Sequence, residues 1–136
     1  MYQSVSFDTN AILNGWSHPP SSISFICNQA GIYDITYTGV FKIETDTLAT
    51  FSMAARLNGT KISGSDIPTT TQAANSVIKI SQEILASVAL NDNLTIVIGM
   101  SGTGGTGIAG GNPRLIAGEA LGNSGPSASL VITRVA

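Results

Sequence analysis

The stretch SFICNQAGIYDITYTGVF, residues 24–41, decides how the whole sequence is interpreted. Apolar and polar residues alternate on both sides of Gly31, which is typical of β-strands that have one buried and one solvated face. Across residues 31–43 the apolar face holds Tyr33, Ile35, Tyr37, Phe41 and Ile43. The pattern predicts two strands joined by a turn at Gly31, because glycine tolerates the backbone angles that tight turns need.

The same two-residue period continues through most of the chain. Residues 48–58 place Phe51, Met53, Ala55 and Leu57 on one face, and Asn58-Gly59 then predicts a tight hairpin turn. Residues 93–100 and the last ten residues are apolar on both faces, which predicts strands that are covered on both sides. These segments are separated by stretches rich in glycine and proline at 18–22, 63–68, 101–113 and 122–126.

Residues 75–90 leave two interpretations open. Their apolar spacing fits an amphipathic helix, which the helix propensity of Gln82 and Glu83 supports. It also fits a strand, which the β-branched residues and the neighbouring strands favour, and whose inward side chains would be Ile78, Ile80, Ile84, Ala86 and Val88. With that strand, residues 1–136 are predicted to form a single all-β domain, a two-sheet β-sandwich.

The composition predicts a core but an unusual surface. Hydrophobic residues make up 43% of the 136 residues, which is enough for a core without disulfides or metals. Charged residues make up only 10%, against roughly 25% in an ordinary soluble domain. We therefore expect small polar residues to coat part of the surface and other chains to cover the rest.

Charge and hydropathy also exclude some classes of partner. The net charge is −2, and the six Lys and Arg residues are scattered, so the basic patch that nucleic acid requires is not expected. No apolar run approaches the roughly 18 residues of a membrane span. The start, MYQSVSFDTN, alternates like a strand, so we expect no signal peptide.

Candidate catalytic and metal-binding residues are few. With one cysteine, Cys27, and one histidine, His18, neither a disulfide within the chain nor a multi-histidine or all-cysteine metal centre can form. Cys27 is predicted to be a buried small hydrophobe, and His18 a solvent-facing residue of the WSHPP loop. The acidic residues show no paired spacing and are predicted to cap turns or face solvent: Glu44, Asp46, Asp66, Glu83, Asp92 and Glu119.

Two further features of the sequence bear on ligand binding. Residues 102–107 match a dinucleotide-binding fingerprint, but no helix can follow them, so a flexible loop is predicted. Trp16 and Tyr2 could stack a sugar ring, with packing at the end of the sandwich as the alternative for both, and Trp16 and His18 are the candidate ligand contacts. No catalytic residue, cofactor or metal is predicted.

The spacing Phe25-X-Cys27-X-X-X-Gly31-X-Tyr33-X-X-X-Tyr37 resembles the signature of the complement-1q/tumour-necrosis-factor-like jelly-roll family. VSFDTN at 5–10 is similar to that family's opening strand, RLNGT at 56–60 to its mid-domain hairpin, and LASVALNDNLTI at 85–96 to a strand–turn–strand unit. The ending SASLVITRVA resembles the closing strand of the family's bacterial branch, typified by the C-terminal domain of collagen-like exosporium glycoproteins of the BclA type. The resemblance covers essentially the whole chain.

The resemblance implies a jelly roll of about ten strands that forms a tight homotrimer and has no catalytic residues. The signature residues Phe25, Cys27, Gly31, Tyr33 and Tyr37 would then belong to the core. The doubly apolar strand 93–100 would lie at the three-fold axis, through Leu94, Ile96, Ile98 and Met100.

From these observations we expect a non-enzymatic structural protein that forms a compact trimer on the surface of a larger assembly. The expected assembly is a phage virion, in which the chain would be a capsid decoration (cement) protein or a fibre head bound to a capsid or other surface-lattice protein. Two alternatives stay open: a bacterial spore-coat or exosporium-type surface trimer, and a head module that binds a carbohydrate or receptor.

Overall fold

The computed structural model describes residues 2–5, 7, 13–42, 49–71, 77–102, 114–115 and 128–136, and every regular element within them is a β-strand. In chain order the strands are β1 (Tyr2–Ser4), β2 (Trp16–Ser17), β3 (Phe25–Cys27), β4 (Gly31–Lys42), β5 (Ala49–Leu57), β6 (Thr60–Lys61), β7 (Ile67–Thr71), β8 (Val77–Val88), β9 (Asn93–Gly102), β10 (Arg114–Leu115) and β11 (Ala128–Arg134). The all-β prediction is confirmed.

The strands form two antiparallel sheets. In the seven-stranded sheet, β9 lies between β5 and the two short strands β1 and β3, with β2 beside β3 and with β6 and β7 on the far side of β5. In the four-stranded sheet, β4 pairs with β8 along its whole length and with β11 and β10 on its other side. This arrangement is consistent with the predicted β-sandwich.

The core lies between these sheets, and the two-residue period decides which side chains enter it. The smaller sheet contributes Tyr33, Ile35 and Tyr37, and the larger sheet contributes Met53, Ala55, Leu94 and Ile96, all of them fully or almost fully buried. Burial of one large apolar side chain contributes about 1.5–3 kcal/mol, so these residues dominate the stability of the fold.

One buried hydrogen-bond network links the two sheets across the core. The Tyr37 hydroxyl of β4 donates to the carbonyl oxygen of Ser65, in the segment between β6 and β7. The Ser65 hydroxyl in turn donates to the Ala55 carbonyl over 3.1 Å and accepts from the Ala55 amide over 3.2 Å. Burial raises the pKa of Tyr37 to about 12, so the phenol stays a protonated donor at physiological pH.

Two connections between the sheets meet at one end of the sandwich. The β3–β4 and β8–β9 links each pass from one sheet to the other. They are joined where the Cys27 amide donates to the Asp92 carbonyl over 2.9 Å and the Asn91 amide donates to the Cys27 carbonyl over 2.8 Å. Asn91 has a φ of 69°, a left-handed conformation that asparagine tolerates better than most residues.

Several sequence predictions are confirmed strand by strand. Residues 77–88 form the strand β8 rather than a helix, with Ile80 and Val88 buried and Leu85 exposed. Asn58 and Gly59 form the predicted hairpin turn between β5 and β6, with φ angles of 52° and 82°. β9 is covered on both faces as predicted, because Leu94 and Ile96 enter the core while Val97 on the opposite face is also buried.

Three predictions about local structure are wrong. The segment 63–68 is not wholly a loop, because Ile67 and Pro68 begin β7. Among the described residues β7 pairs only with β5, and a strand with one free edge can contain a proline. β11 is covered on one face only, since its residues alternate between half-buried and exposed. Gly31 is the first residue of β4 and not part of a turn.

The need for glycine at position 31 comes from a close approach of the chain. A Cβ atom at Gly31 would lie 2.5 Å from Nε of Arg134 and 2.7 Å from the backbone oxygen of Ala136. That segment continues the pairing of β11 with β4, since the Val135 amide donates to the Ile32 carbonyl over 2.8 Å. Gly31 therefore makes room for the chain that follows β11.

Candidate functional site

The other signature residues lie in the core. Phe25, Cys27, Tyr33 and Tyr37 are all buried, and Tyr33 donates its hydroxyl to the Gln29 carbonyl. The Cys27 thiol lies 3.1 Å from the same carbonyl, so it is the buried small side chain that the sequence predicts rather than an accessible nucleophile. These residues fix the fold and offer no surface to a ligand.

His18 is not the solvent-facing residue that the sequence predicts. Its side chain is only 3% exposed, and its ring stacks on Phe25 with 3.9 Å between ring centroids. Nε2 lies 2.8 Å from the Ser22 carbonyl, and the Ser22 amide donates to the Pro19 carbonyl over 3.1 Å. The two prolines therefore lie in a segment that folds back and carries the histidine ring inward.

Trp16 lies in the same region and is also buried. Its ring meets Tyr33 edge to face, with 5.2 Å between centroids, and it pairs with Cys27 across β2 and β3. The indole N–H has no hydrogen-bond partner among the described residues. Packing at the end of the sandwich is therefore the role of Trp16 in this structure, and neither Trp16 nor His18 presents a face on which a sugar ring could stack.

Three of the four residues predicted for a three-fold axis lie inside the chain's own core. Leu94 and Ile96 have no exposed surface and Ile98 has very little, while the side chain of Met100 is outside the described residues. A side chain that is already enclosed by its own chain cannot contact a second copy. The sequence predicts an axis at β9 because this strand has apolar residues on both faces. In the structure, the same chain covers both faces of β9.

Three exposed apolar side chains lie on the outward face of the four-stranded sheet, which we call the open face, while Leu13, Ile23 and Leu90 are exposed elsewhere on the described chain. It consists of the residues of β4, β8 and β11 whose side chains point away from the core. Leu85 is 67% exposed, Val131 is 58% exposed and Ile32 is 42% exposed. Leu85 of β8 is paired with Asp34, and Val131 of β11 is paired with Thr36. The side chains of Leu85 and Val131 therefore lie on adjacent rows, on opposite sides of β4.

Six other described residues of the open face are small and polar. They are Thr36, Thr38, Ser81, Ser87, Ser129 and Thr133. The Thr38 hydroxyl donates to the Ser81 hydroxyl over 3.1 Å, which joins β4 and β8 on this face. The hydroxyl groups and aliphatic side chains of this face can be covered by another protein at little cost in desolvation, whereas Asp34, Lys79 and Glu83 on the same face resist burial because they are charged.

Two carboxyl groups meet near the middle of the open face. Glu83 pairs across from Thr36, so its side chain lies diagonally next to that of Asp34 on the same face. The hydrogen bond to Asp34 and the negative charge of Asp34 raise the pKa of Glu83. One oxygen of Asp34, Oδ1, is buried and has no hydrogen-bond partner among the described residues.

The acidic residues away from this face behave as predicted where the structure describes them. Asp92 accepts from the Ala89 amide over 2.9 Å and from the Asn58 side chain over 2.8 Å, so it caps the turn between β8 and β9. These two hydrogen bonds lower the pKa of Asp92. Asp66 forms an exposed ion pair with Lys61 over 3.4 Å.

The remaining predictions about sites concern other parts of the chain. The fingerprint segment 102–107 lies outside the described residues except for Gly102, the last residue of β9. The described residues contain no group of three or more His, Cys, Asp or Glu side chains that could hold a metal ion. Among them, no helix is long and apolar enough to cross a bilayer.

The carboxyl pair is the feature that the sequence did not predict. Neither residue lies in a spaced motif, since Asp34 and Glu83 are far apart in the chain. Alternation alone places both on outward faces, but only the register between β4 and β8 brings them together. Comparison with known protein families finds no match for this sequence, and comparison with curated proteins finds none either.

Proposed function

We propose that the protein is a non-enzymatic structural protein of the jelly-roll type, whose copies associate as a compact homotrimer through the open face. The observation that carries this proposal is the exposure of Leu85, Val131 and Ile32 on one sheet face of a chain with very few charges. Exposed apolar side chains that share one face are typical of a surface that another protein covers.

The strand connections support the jelly-roll part of the proposal. Along the chain, β3, β5 to β7 and β9 belong to the larger sheet, while β4, β8 and β11 belong to the smaller one. The chain thus changes sheets repeatedly, as it does in double-sheet jelly rolls. The exposed Val131 of β11 agrees with a trimer, because the chain itself covers the other side of this strand and a second copy would cover Val131.

A matched pair of substitutions tests whether the open face is the contact surface. Leu85→Glu places a charge on the open face, whereas Leu90→Glu makes the same change in the turn between β8 and β9, where Leu90 is 58% exposed. Neither side chain is needed in the core. Leu85→Glu should abolish association in sedimentation velocity, and Leu90→Glu should leave it intact. Equal association of both variants would exclude the open face.

Within this class we propose a virion component, a capsid decoration protein or fibre head that binds a surface-lattice protein. Jelly rolls recur among capsid proteins, and the low charge content suits a chain whose surface is partly covered in an assembly. Particles that lack the protein should release their nucleic acid at a lower temperature than complete particles. Equal release temperatures would exclude a cementing role.

The two alternatives predict different observations. A spore-coat or exosporium protein would lie beside sporulation genes rather than capsid or tail genes. A carbohydrate-binding head would bind a glycan array. Trp16 and His18 are buried and offer such a ligand no stacking surface, and the side chain of Tyr2 lies outside the described residues. No described residue favours the glycan-binding alternative over the structural role.

A further inference from the structure

The two carboxyl groups of the open face lie where a partner that covers this face would have to approach them. Asp34 and Glu83 are outward-pointing neighbours on β4 and β8, and they lie on the rows that also carry Leu85 and Val131. Any partner that covers those apolar side chains must also cover or closely approach the carboxyl pair. Two adjacent negative charges resist such desolvation.

Few groups of opposite charge are near enough to neutralise the pair. On β8 the nearest described cation on the same face as Glu83 is Lys79, which is four residues away, or about 13 Å along the strand. On β11 the residues on the open face are Ser129, Val131 and Thr133, none of which is charged. Arg134 of the same strand donates a hydrogen bond to the Ala30 carbonyl over 3.2 Å. Lys42 and its partner Arg114 are at the opposite end of β4, eight residues from Asp34.

We propose that proton uptake by the Asp34–Glu83 pair strengthens the association of copies through the open face, an inference that rests on the proposed function. A protonated Glu83 has an O–H group that can donate to the Asp34 carboxylate, and the pair then carries one negative charge instead of two. The contact already raises the pKa of Glu83 in the single chain, and burial by a second copy raises it further.

The sign of the pH dependence follows from this. A carboxyl group that binds its proton more tightly in the assembled state stabilises the assembly at low pH. This stabilisation is lost as the pH rises through the raised pKa of the group. Assembly should therefore be tightest in mildly acidic solution and weaken toward neutral pH. A homotrimer would bring three such pairs together, so up to three protons are taken up for each trimer formed.

The test measures the protein concentration at which half of the chain is assembled, by sedimentation velocity of the full chain at about pH 5.5 and about pH 7.5. For the unsubstituted chain this concentration should be at least about tenfold lower at the acidic pH. Glu83→Gln should reduce that difference to about twofold or less. It should also assemble more tightly than the unsubstituted chain at the higher pH. Asp34→Asn should likewise reduce the difference between the two pH values and tighten assembly at the higher pH.

Asp66→Asn is the matched control. It changes the net charge by the same amount as Glu83→Gln, but Asp66 is in the ion pair with Lys61, away from the open face. It should keep the full pH dependence of assembly. If Asp66→Asn and Glu83→Gln have the same effect, the net charge and not the pair governs assembly, and the inference is overturned.

The outcomes separate this inference from the proposed function. Trimers that assemble equally well at both pH values would overturn the inference and leave the proposed function standing. A single copy at every pH and concentration would overturn the proposed function, and the inference with it. Circular dichroism of each variant establishes that a loss of assembly is not a loss of folding.

Discussion

The Tyr37 hydroxyl donates a hydrogen bond to the Ser65 carbonyl, and this bond joins the two sheets inside the core. Tyr37 is in the middle of β4, while Ser65 is in the short segment that leads into β7. Because Ser65 also makes both hydrogen bonds with Ala55 of β5, the segment is held against the larger sheet. The smaller sheet is therefore attached to a fixed point of the larger one by a polar contact as well as by apolar packing.

Tyr37→Phe should destabilise the fold without changing its shape. The ring remains, but the buried Ser65 carbonyl loses its donor, which costs about 1–3 kcal/mol. Thr38→Val is the control, because it removes a hydroxyl from the next residue on the exposed face. Urea unfolding at one fixed protein concentration measures both variants. If Tyr37→Phe lowers the free energy of unfolding no more than Thr38→Val does, the buried hydrogen bond from Tyr37 to Ser65 stabilises the fold no more than an exposed one.

Gly31→Ala should destabilise the protein by displacing the chain after β11. The new Cβ would lie within 2.7 Å of both Arg134 and the Ala136 backbone, and such overpacking costs about 1–3 kcal/mol. Thermal unfolding measures the loss. Adding Arg134→Ala should restore only part of it, because the backbone oxygen of Ala136 stays in place. A Gly31→Ala variant as stable as the parent would show that the close approach is not needed.

His18→Ala should lower stability, since the ring is buried against Phe25 and its Nε2 contacts the Ser22 carbonyl. Removal of a buried ring of this kind costs about 2–4 kcal/mol. Ser17→Ala, at an exposed neighbouring position, should have a much smaller effect. Chemical unfolding compares the two variants. Similar stabilities for both would mean that His18 lies in solvent, as the sequence alone suggests.

Asp92→Asn should make the stability of the fold less sensitive to acid. The hydrogen bonds from Asn58 and the Ala89 amide lower the pKa of Asp92 in the folded chain below its unfolded value. Such a group contributes stability above its unfolded pKa, and that contribution is lost as the pH falls through the folded pKa. Asn58→Ala should show part of the same effect. Unfolding curves at neutral pH and near pH 3 should therefore differ less for Asp92→Asn than for the parent.

The sequence predicts the inward faces of the strands well, because the side-chain period of two is a local property. Residues 32–40 and 79–88 have the burial that their alternation indicates. The turn at Asn58-Gly59 was also predictable, since both residues tolerate positive φ. These features depend only on neighbouring residues.

Features that depend on which strands pair were not predictable. His18 is buried because Phe7 and Phe25 approach it from elsewhere in the chain. The sequence pattern predicts that β9 and β11 are both covered on two faces, but β9 is central in its sheet whereas β11 has an exposed face. The approach of Asp34 to Glu83 required the register between β4 and β8.

The mass of the protein in dilute solution tests the central claim most directly. The chain has a mass of 13.9 kDa, so a homotrimer has three times that mass, or about 42 kDa. Sedimentation equilibrium at mildly acidic pH should return the trimer mass over a range of concentrations. A stable mass of 13.9 kDa throughout that range would contradict the account, because the exposed side chains of Leu85 and Val131 would then have no second copy to cover them.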